Sequence, residues 1–458
     1  MLLERLERIV GPDNVLTGER VSSRAVGWAD HSPCRARAIV RPGSTNEVSQ
    51  VLAACHEAGQ PLVTLGGLTG LVRGSVADAD EIGLSLERMH RIEAVDVVGR
   101  TMTVEAGVPL QRVQEEAEKH GLLYPVDFGA RGSAHIGGSV ATNAGGNGVI
   151  RYGMTRESVL GLEVVLADGT VVPAMNRMLK NNAAYDVKQL FIGTEGTLGV
   201  VTRLVLRLRE MPRSTQTALV ACPGFGAVTQ FLKHVDGALG GALSAFELMW
   251  NEFYRLVTTP PAKGSPPLSQ EHDYYVLVES EGGDPGRDQA QFEDAIAAAL
   301  EAGLVSDAVV AGSEAQRESL WALRDDVETF FQLGMPVVFD VSLPIAEMEG
   351  YVAEVVARLE REWPAYRRFV FGHLGDGNLH VIATGPPSMD ARRGIERCVY
   401  EPLAARQGSV SAEHGIGLEK LPWLAQCRSP AELALMRRLK QTLDPKDILN
   451  RGRVLPAA

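Results

Sequence analysis

Residues 132–153 read GSAHIGGSVATNAGGNGVIRYG, seven glycines in one run whose middle holds only small or polar side chains. Glycine admits positive φ and lets main-chain N–H groups approach a ligand with no Cβ in between. Successive amides bent into such a concavity bind anionic oxygens. Ser139, Thr142, Asn143 and Asn147 add hydrogen-bonding groups without bulk. The run therefore points to a long, phosphate-bearing ligand. A flexible surface loop is the other reading, but Ile136, Val140, Val149 and Ile150 interrupt the run with apolar anchors that disorder does not need.

A chain of 458 residues predicts two or three domains, each with its own core. The net charge of −12 argues against nucleic acid or an anionic membrane surface as partner, so an anionic substrate needs a local cluster of cations. The five cysteines (Cys34, Cys55, Cys222, Cys398, Cys427) are scattered and never paired as CxxC, which suits a reducing cytoplasm. No apolar run is long enough for a membrane span. The charged start MLLERLERIVG is not that of a signal peptide.

Along the chain, Ser44 with Glu47 predicts a capped helix ending at Gly59. Residues 101–106 alternate as a strand, and Pro109 opens a charged helix that stops at Gly121. Residues 162–172 predict a hairpin turning at Asp168-Gly169. A second glycine turn, GTEGTLG, is expected between two apolar strands in residues 190–208. Composition changes at Met211-Pro212-Arg213. From there strands and helices alternate, predicting an antiparallel sheet with helices on one face. The fold class expected is α+β. The domains expected are 1–210, 211–405 and a segment 406–458 that returns to the first.

No GxGxxG follows a strand and no GxxxxGK[ST] occurs, so neither a Rossmann site nor a P-loop holds the phosphates. His373 and His380 lie seven apart in GHLGDGNLH, and Glu413-His414 follows in SAEHGIGLEK. Two imidazoles and a carboxylate form a ligand set for Zn²⁺ or another divalent ion, with a position left for a substrate oxygen. His414 is then available as a base. Each histidine alone could equally be a satisfied structural residue. Arg324, in WALRDD, could hold a carboxylate bidentately or form a surface ion pair with Asp325 or Asp326.

The ordered set LGGLTGL (65–71), SAHIGGSVATNAGG (133–146), RYG (151–153), QLFIGTEGTLGVVT (189–202), GHLGDGNLH (372–380), GSVSAEHGIG (408–417) and DPKDILN (444–450) resembles the FAD-dependent D-2-hydroxyacid dehydrogenases. These belong to the vanillyl-alcohol oxidase flavoprotein superfamily and include D-lactate and D-2-hydroxyglutarate dehydrogenases. The resemblance implies a two-lobed FAD-binding domain and an α+β cap domain with an antiparallel sheet. It puts Leu65, Gly66, Gly67, Leu68, Thr69, Gly70 and Leu71 on the FAD diphosphate. Ile136, Gly137, Gly138, Ala141, Thr142, Asn143, Gly145, Gly146, Gly199 and Val200 would surround the isoalloxazine and ribityl chain. Asn450 would approach the flavin, and Gly132, Ser133, Tyr152 and Gly153 complete the cofactor set. His373, His380 and Glu413 would hold a divalent metal, zinc being expected. Arg324 would clamp the substrate carboxylate, and His414 would take the hydroxyl proton.

The implied reaction oxidises a D-2-hydroxy acid of the D-lactate or D-2-hydroxyglutarate class to its 2-oxo acid. Electrons would pass on to an electron-transfer flavoprotein, a quinone or a cytochrome, and a homodimer is left open. Leu68 occupies the region where covalent members of the superfamily carry a histidine, so the FAD is expected to be non-covalent. Val338, Ile382 and Glu328 stand where hydroxyglutarate enzymes carry lysine, asparagine and a hydroxyl residue, which favours a less acidic substrate. Competing readings are a flavin oxidase using O₂, a metal-dependent hydrolase with a nucleotide substrate, and a non-catalytic flavin-binding module.

Overall fold

The computed structural model describes residues 1–27, 30, 32–386 and 389–457. They form two units. The first comprises Met1–Gly146, Gly153–Met211 and Glu413–Ala458; the second comprises Asn147–Tyr152 and Pro212–Ala412.

The first unit is built on two larger sheets, beside a two-stranded pairing of Leu122–Leu123 with Arg209–Glu210. Strands β1 (Val15–Leu16), β2 (Ala38–Val40), β3 (Leu62–Leu65) and β4 (Ile82–Ser85) lie in the order β1-β2-β4-β3, with β2, β4 and β3 parallel. The parallel crossover from β2 to β3 is helix α1 (Thr45–Ala58). Ser44 is extended and its side chain accepts from the Glu47 N–H, while Gly59 closes the helix at φ 61°. Val48, Val51, Leu52 and Cys55 recur at helical spacing and are fully buried; each large side chain is worth about 1.5–3 kcal/mol of burial.

The second sheet of this unit is antiparallel, in the order β5-β6-β9-β7-β8. Its strands are β5 (Ile92–Asp96), β6 (Thr101–Glu105), β7 (Val159–Val165), β8 (Val171–Ala174) and β9 (Val200–Arg207). The hairpin β7–β8 turns where Asp168 Oδ1 accepts from the Thr170 N–H and Gly169 sits at φ 89°. Helix α2 (Leu110–Lys119) starts after Pro109 as expected.

Two local expectations change. The glycine run contains helix α3 (Ile136–Thr142), followed by a helical turn Val149–Tyr152, rather than a continuous loop. The apolar residues before GTEGTLG form a short 3₁₀ turn, Val187–Leu190, so only the strand after the turn exists.

The chain's last segment rejoins β3. Leu62 N–H donates to the Ile448 carbonyl and Asn450 N–H to the Leu62 carbonyl. Buried Asp444 fixes this turn by accepting from the N–H groups of Ile448 and Leu449.

The second unit is one seven-stranded antiparallel sheet. In chain order its elements are β10 (Ser214–Cys222), α4 (Phe225–Leu239), β11 (Leu243–Trp250), α5 (Asn251–Thr258), β12 (Tyr274–Gly282), α6 (Pro285–Glu301), β13 (Asp307–Val310), α7 (Glu314–Asp325), β14 (Met335–Ser342), α8 (Met348–Glu362), β15 (Arg367–His373), β16 (Asn378–Gly385) and α9 (Met389–Ala404). The strand order is β13-β10-β12-β11-β15-β16-β14.

Helices cover both faces of this sheet, not one. Phe253 of α5 stacks on Phe371 of β15 at 4.2 Å, while Phe231 of α4 packs on Phe246 of β11 at 5.7 Å. Phe371 lies opposite Met249, three residues along from Phe246, so the two contacts are on opposite faces. Among the described residues, no helix is long and apolar enough to cross a membrane.

Candidate active site

In the first unit the glycine segments meet around a cavity of about 380 Å³. Leu65, Gly66, Gly67, Leu68, Thr69, Gly70 and Leu71 line one part of it. Gly137, Gly138, Ala141, Thr142 and Gly145 line another, and Gly199, Val200 and Asn450 a third. Glu413 and His414 line the same cavity.

The backbone geometry explains why glycine is needed here. A Cβ on Gly67 would lie 1.9 Å from the Ser133 carbonyl oxygen, and one on Gly137 would lie 2.6 Å from Ala106 Cβ. These two glycines set how closely the walls approach. Gly70 and Gly138 have nothing within 4 Å of a built Cβ, so their bare α-carbons leave room inside the cavity.

Replacing Gly67 with alanine is expected to push the 65–71 turn off the segment at Ser133, at a cost of about 1–3 kcal/mol. The ratio of flavin to protein absorbance after gel filtration should fall, and the melting temperature with it. An alanine variant that keeps full yellow colour and stability would contradict the close approach.

Other predicted residues support the walls instead of lining the cavity. Ile136 is fully buried in the core. Asn143 ends α3 at φ 51°, and its Oδ1 accepts from the Arg156 N–H. A Cβ on Gly146 would strike the Asp127 carbonyl oxygen at 1.9 Å. Gly132, Ser133 and Gly153 are also not among the lining residues. Tyr152 belongs to the second unit, where its hydroxyl donates to Glu281 Oε2 at 2.6 Å.

Sequence reasoning missed the residue that ties these segments together. The carboxylate of Glu195 accepts from the N–H groups of Ile416 (2.7 Å) and Gly417 (2.9 Å), just past His414. Its own N–H donates to the Ala141 carbonyl, and its carbonyl accepts from Asn450 Nδ2. Asn450 Oδ1 in turn accepts from the Thr64 N–H. Burial raises the Glu195 carboxyl above its ordinary pKa against the pull of the two amides.

The donor set suits FAD. Thr64 Oγ1 and His135 Nδ1 line the cavity and are buried without a hydrogen-bond partner, a cost that a polar ligand would relieve. Burial also lowers the pKa of His135, which favours the neutral ring. Much of the remaining lining is glycine and apolar surface suited to a flat ring system.

In the second unit, Glu247, Arg324 and His373 form a closed polar cluster. Arg324 was expected either on the surface or on a substrate. It is 7% exposed, and its Nε donates to Glu247 Oε2 at 2.7 Å. The surface-pair reading is thereby replaced, although Nη1 also lies 3.4 Å from Asp325 Oδ1. His373 Nδ1 is 2.7 Å from Glu247 Oε1, and its Nε2 is 3.0 Å from Arg324 Nη2.

Burial alone would push the Glu247 carboxyl up. The two groups against it, His373 and Arg324, outweigh that and hold it at about 2. His380 is also buried, its ring 5.4 Å from that of His373. The strand register sets it opposite Asp340, whose Oδ2 accepts from the Ser411 hydroxyl and the Ala412 N–H. The imidazole of His373 is therefore fixed by Glu247, and a carboxylate orienting one nitrogen of a histidine is common at metal sites.

Glu328, which the sequence placed against a substrate carboxylate, is 81% exposed and pairs with Lys263. Its neighbour Thr329 is buried, with its hydroxyl donating to Asp326.

Residues 36–174 match the family model described as FAD binding domain, and residues 211–454 match FAD linked oxidases, C-terminal domain. A mitochondrial D-2-hydroxyglutarate dehydrogenase of Bos taurus is 41% identical over 99% of this chain and 83% of its own length. The chain belongs to the FAD-dependent D-2-hydroxyacid dehydrogenases. A D-2-hydroxyglutarate dehydrogenase of Xanthomonas citri is 40% identical over 91% of this chain and 89% of the relative.

The fold is that of the vanillyl-alcohol oxidase superfamily. An alkyldihydroxyacetonephosphate synthase superposes with a TM-score of 0.77 at 16% identity, covering 98% of this chain and 84% of that one. p-Cresol methylhydroxylase superposes with 0.76 at 16%, covering 99% and 96%. Membership of this dehydrogenase family sets aside both the hydrolase and the non-catalytic readings, and FAD is the cofactor of the first unit.

Proposed function

We propose that this dehydrogenase oxidises a D-2-hydroxy acid to its 2-oxo acid, with D-2-hydroxyglutarate the first substrate to test. The observation that carries this reading is that Glu413 and His414 line the glycine-floored cavity of the FAD-binding unit, which gives the cofactor site a base. The names of the full-length relatives support the substrate class.

Bound FAD would supply the acceptor for the α-hydrogen, which leaves the α-carbon with two electrons as a hydride. Arg324 offers a guanidinium, held rigid by Glu247, to the α-carboxylate. His414 takes the proton of the α-hydroxyl. Leu68 in the first glycine turn supports dissociable FAD, which acid precipitation should release into the supernatant. The deciding experiment is anaerobic reduction of the flavin by D- and L-2-hydroxyglutarate and D- and L-lactate. Indifference to every D-acid would end the proposal, and peroxide release during aerobic turnover would reassign the enzyme as an oxidase.

A metal reading rests on the buried imidazoles of His373 and His380, whose rings lie 5.4 Å apart, with Glu413 as the third ligand expected from the sequence. A zinc ion held there would lower the pKa of a substrate oxygen. His380→Ala is expected to reduce bound divalent metal from about one ion per chain to a small fraction, with FAD retained. Elemental analysis beside the flavin spectrum checks this, and unchanged metal content would exclude His380 as a ligand. Five free thiols suit a reducing compartment.

A second substrate reading has its own observation. Val338 on β14 lies directly opposite Ile382 on β16, two residues along from the Asp340–His380 pair. These two apolar side chains stand where a second substrate carboxylate would need a polar partner, which favours D-lactate or a longer apolar D-2-hydroxy acid. A higher kcat/KM for D-lactate than for D-2-hydroxyglutarate would decide for it.

A further inference from the structure

Glu247 sits in the middle of the apolar run LSAFELMW of β11, where a carboxylate is costly unless fully partnered. It is 1% exposed. The register puts Glu247 directly opposite His373 on β15, and α7 brings Arg324 to the same carboxylate. All three side chains close a ring: Oε2 to Arg324 Nε at 2.7 Å, Oε1 to His373 Nδ1 at 2.7 Å, and Arg324 Nη2 to His373 Nε2 at 3.0 Å.

Only one assignment of protons satisfies all three contacts. A guanidinium nitrogen has hydrogens to give and no lone pair to offer, so His373 Nε2 must accept from Nη2. The imidazole proton is then on Nδ1, which donates to Glu247. The carboxylate thus accepts two hydrogen bonds, one fixing the plane of the guanidinium and the other the tautomer and tilt of His373. The Phe371 ring under the guanidinium, 5.1 Å from its centroid, completes the support.

We infer that Glu247 is a positioning residue for this dehydrogenase: it aims Arg324 at the substrate carboxylate and fixes the tautomer and tilt of His373. The inference rests on Arg324 being the carboxylate clamp. Glu247 touches neither substrate nor cofactor in this role. It acts through the arginine, and that dependence is what an experiment can isolate.

The test is a double-mutant cycle on purified holoenzyme, with Glu247→Gln and Arg324→Met singly and together. The readout is the dissociation constant of 2-oxoglutarate from the change it makes in the flavin spectrum, or of pyruvate if D-lactate proves the faster reductant. Glu247→Gln is expected to weaken binding about 10- to 100-fold with FAD content unchanged. In the Arg324→Met background the same replacement should change it by less than about threefold, because its target is gone.

An affinity for Glu247→Gln within about twofold of wild type, or an equal loss in both backgrounds, would overturn the inference. An affinity that Arg324→Met leaves unchanged would instead remove the clamp itself. If Glu247→Gln does not retain FAD, the cycle is run with Glu247→Asp. That variant keeps the charge but shortens the reach, and the same two comparisons decide.

Discussion

Flavin reduction by substrate is expected to slow about 10²- to 10⁴-fold when His414 is replaced by asparagine, the usual worth of a positioned general base. Asparagine keeps a polar side chain of similar reach but cannot take up a proton near neutral pH. FAD content should be unaffected. The loop carrying His414 is held by its own backbone, through the N–H groups of Ile416 and Gly417 on Glu195. Anaerobic stopped-flow reduction of the yellow holoenzyme separates this step from reoxidation. Reduction at wild-type speed would remove His414 from the proton transfer, whereas loss of colour would mean that the ring supports the cofactor.

The parts of this molecule that could be read from the sequence are those governed by neighbours in the chain. The helix between Ser44 and Gly59 announces itself because its cap, its stop and its buried stripe lie within sixteen positions. The same holds for the Asp168-Gly169 hairpin. The glycine run was legible as a ligand-facing element but not as a pair of short helices. Glycine's weak helix propensity is overridden there by the packing of Ile136 and Val140 into the core.

What stayed hidden depends on distant pairings. Glu195 and Glu247 find their partners more than two hundred and more than seventy residues away, respectively. Nothing local marks Glu195 as more than a surface acid. For Glu247 a trace did exist, since a carboxylate inside an otherwise apolar strand must have a partner if the strand is central. Covering helices on both faces were missed for a related reason. Strands such as LSAFELMW are apolar on both sides, a pattern of double burial that an alternating strand would have excluded.

Arg324→Met should have a large effect on both binding and stability, and the two can be separated. Loss of a buried, charge-assisted partner for the substrate carboxylate is expected to lower kcat/KM by about 2–5 kcal/mol, roughly 30- to 5000-fold. Lysine should not restore it, because a point charge cannot reproduce the two-pronged geometry or the Nε contact to Glu247. The same change strips Glu247 of one of its two donors within the core. Breaking a buried ion pair from one side costs about 3–5 kcal/mol, since the remaining charge has no solvent to turn to. Urea unfolding of the variant should reveal that loss. Adding Glu247→Gln to Arg324→Met should recover part of the stability but none of the kcat/KM, because the second replacement removes the stranded charge without returning the clamp. Recovery of both together would mean that the arginine serves only the fold of its unit.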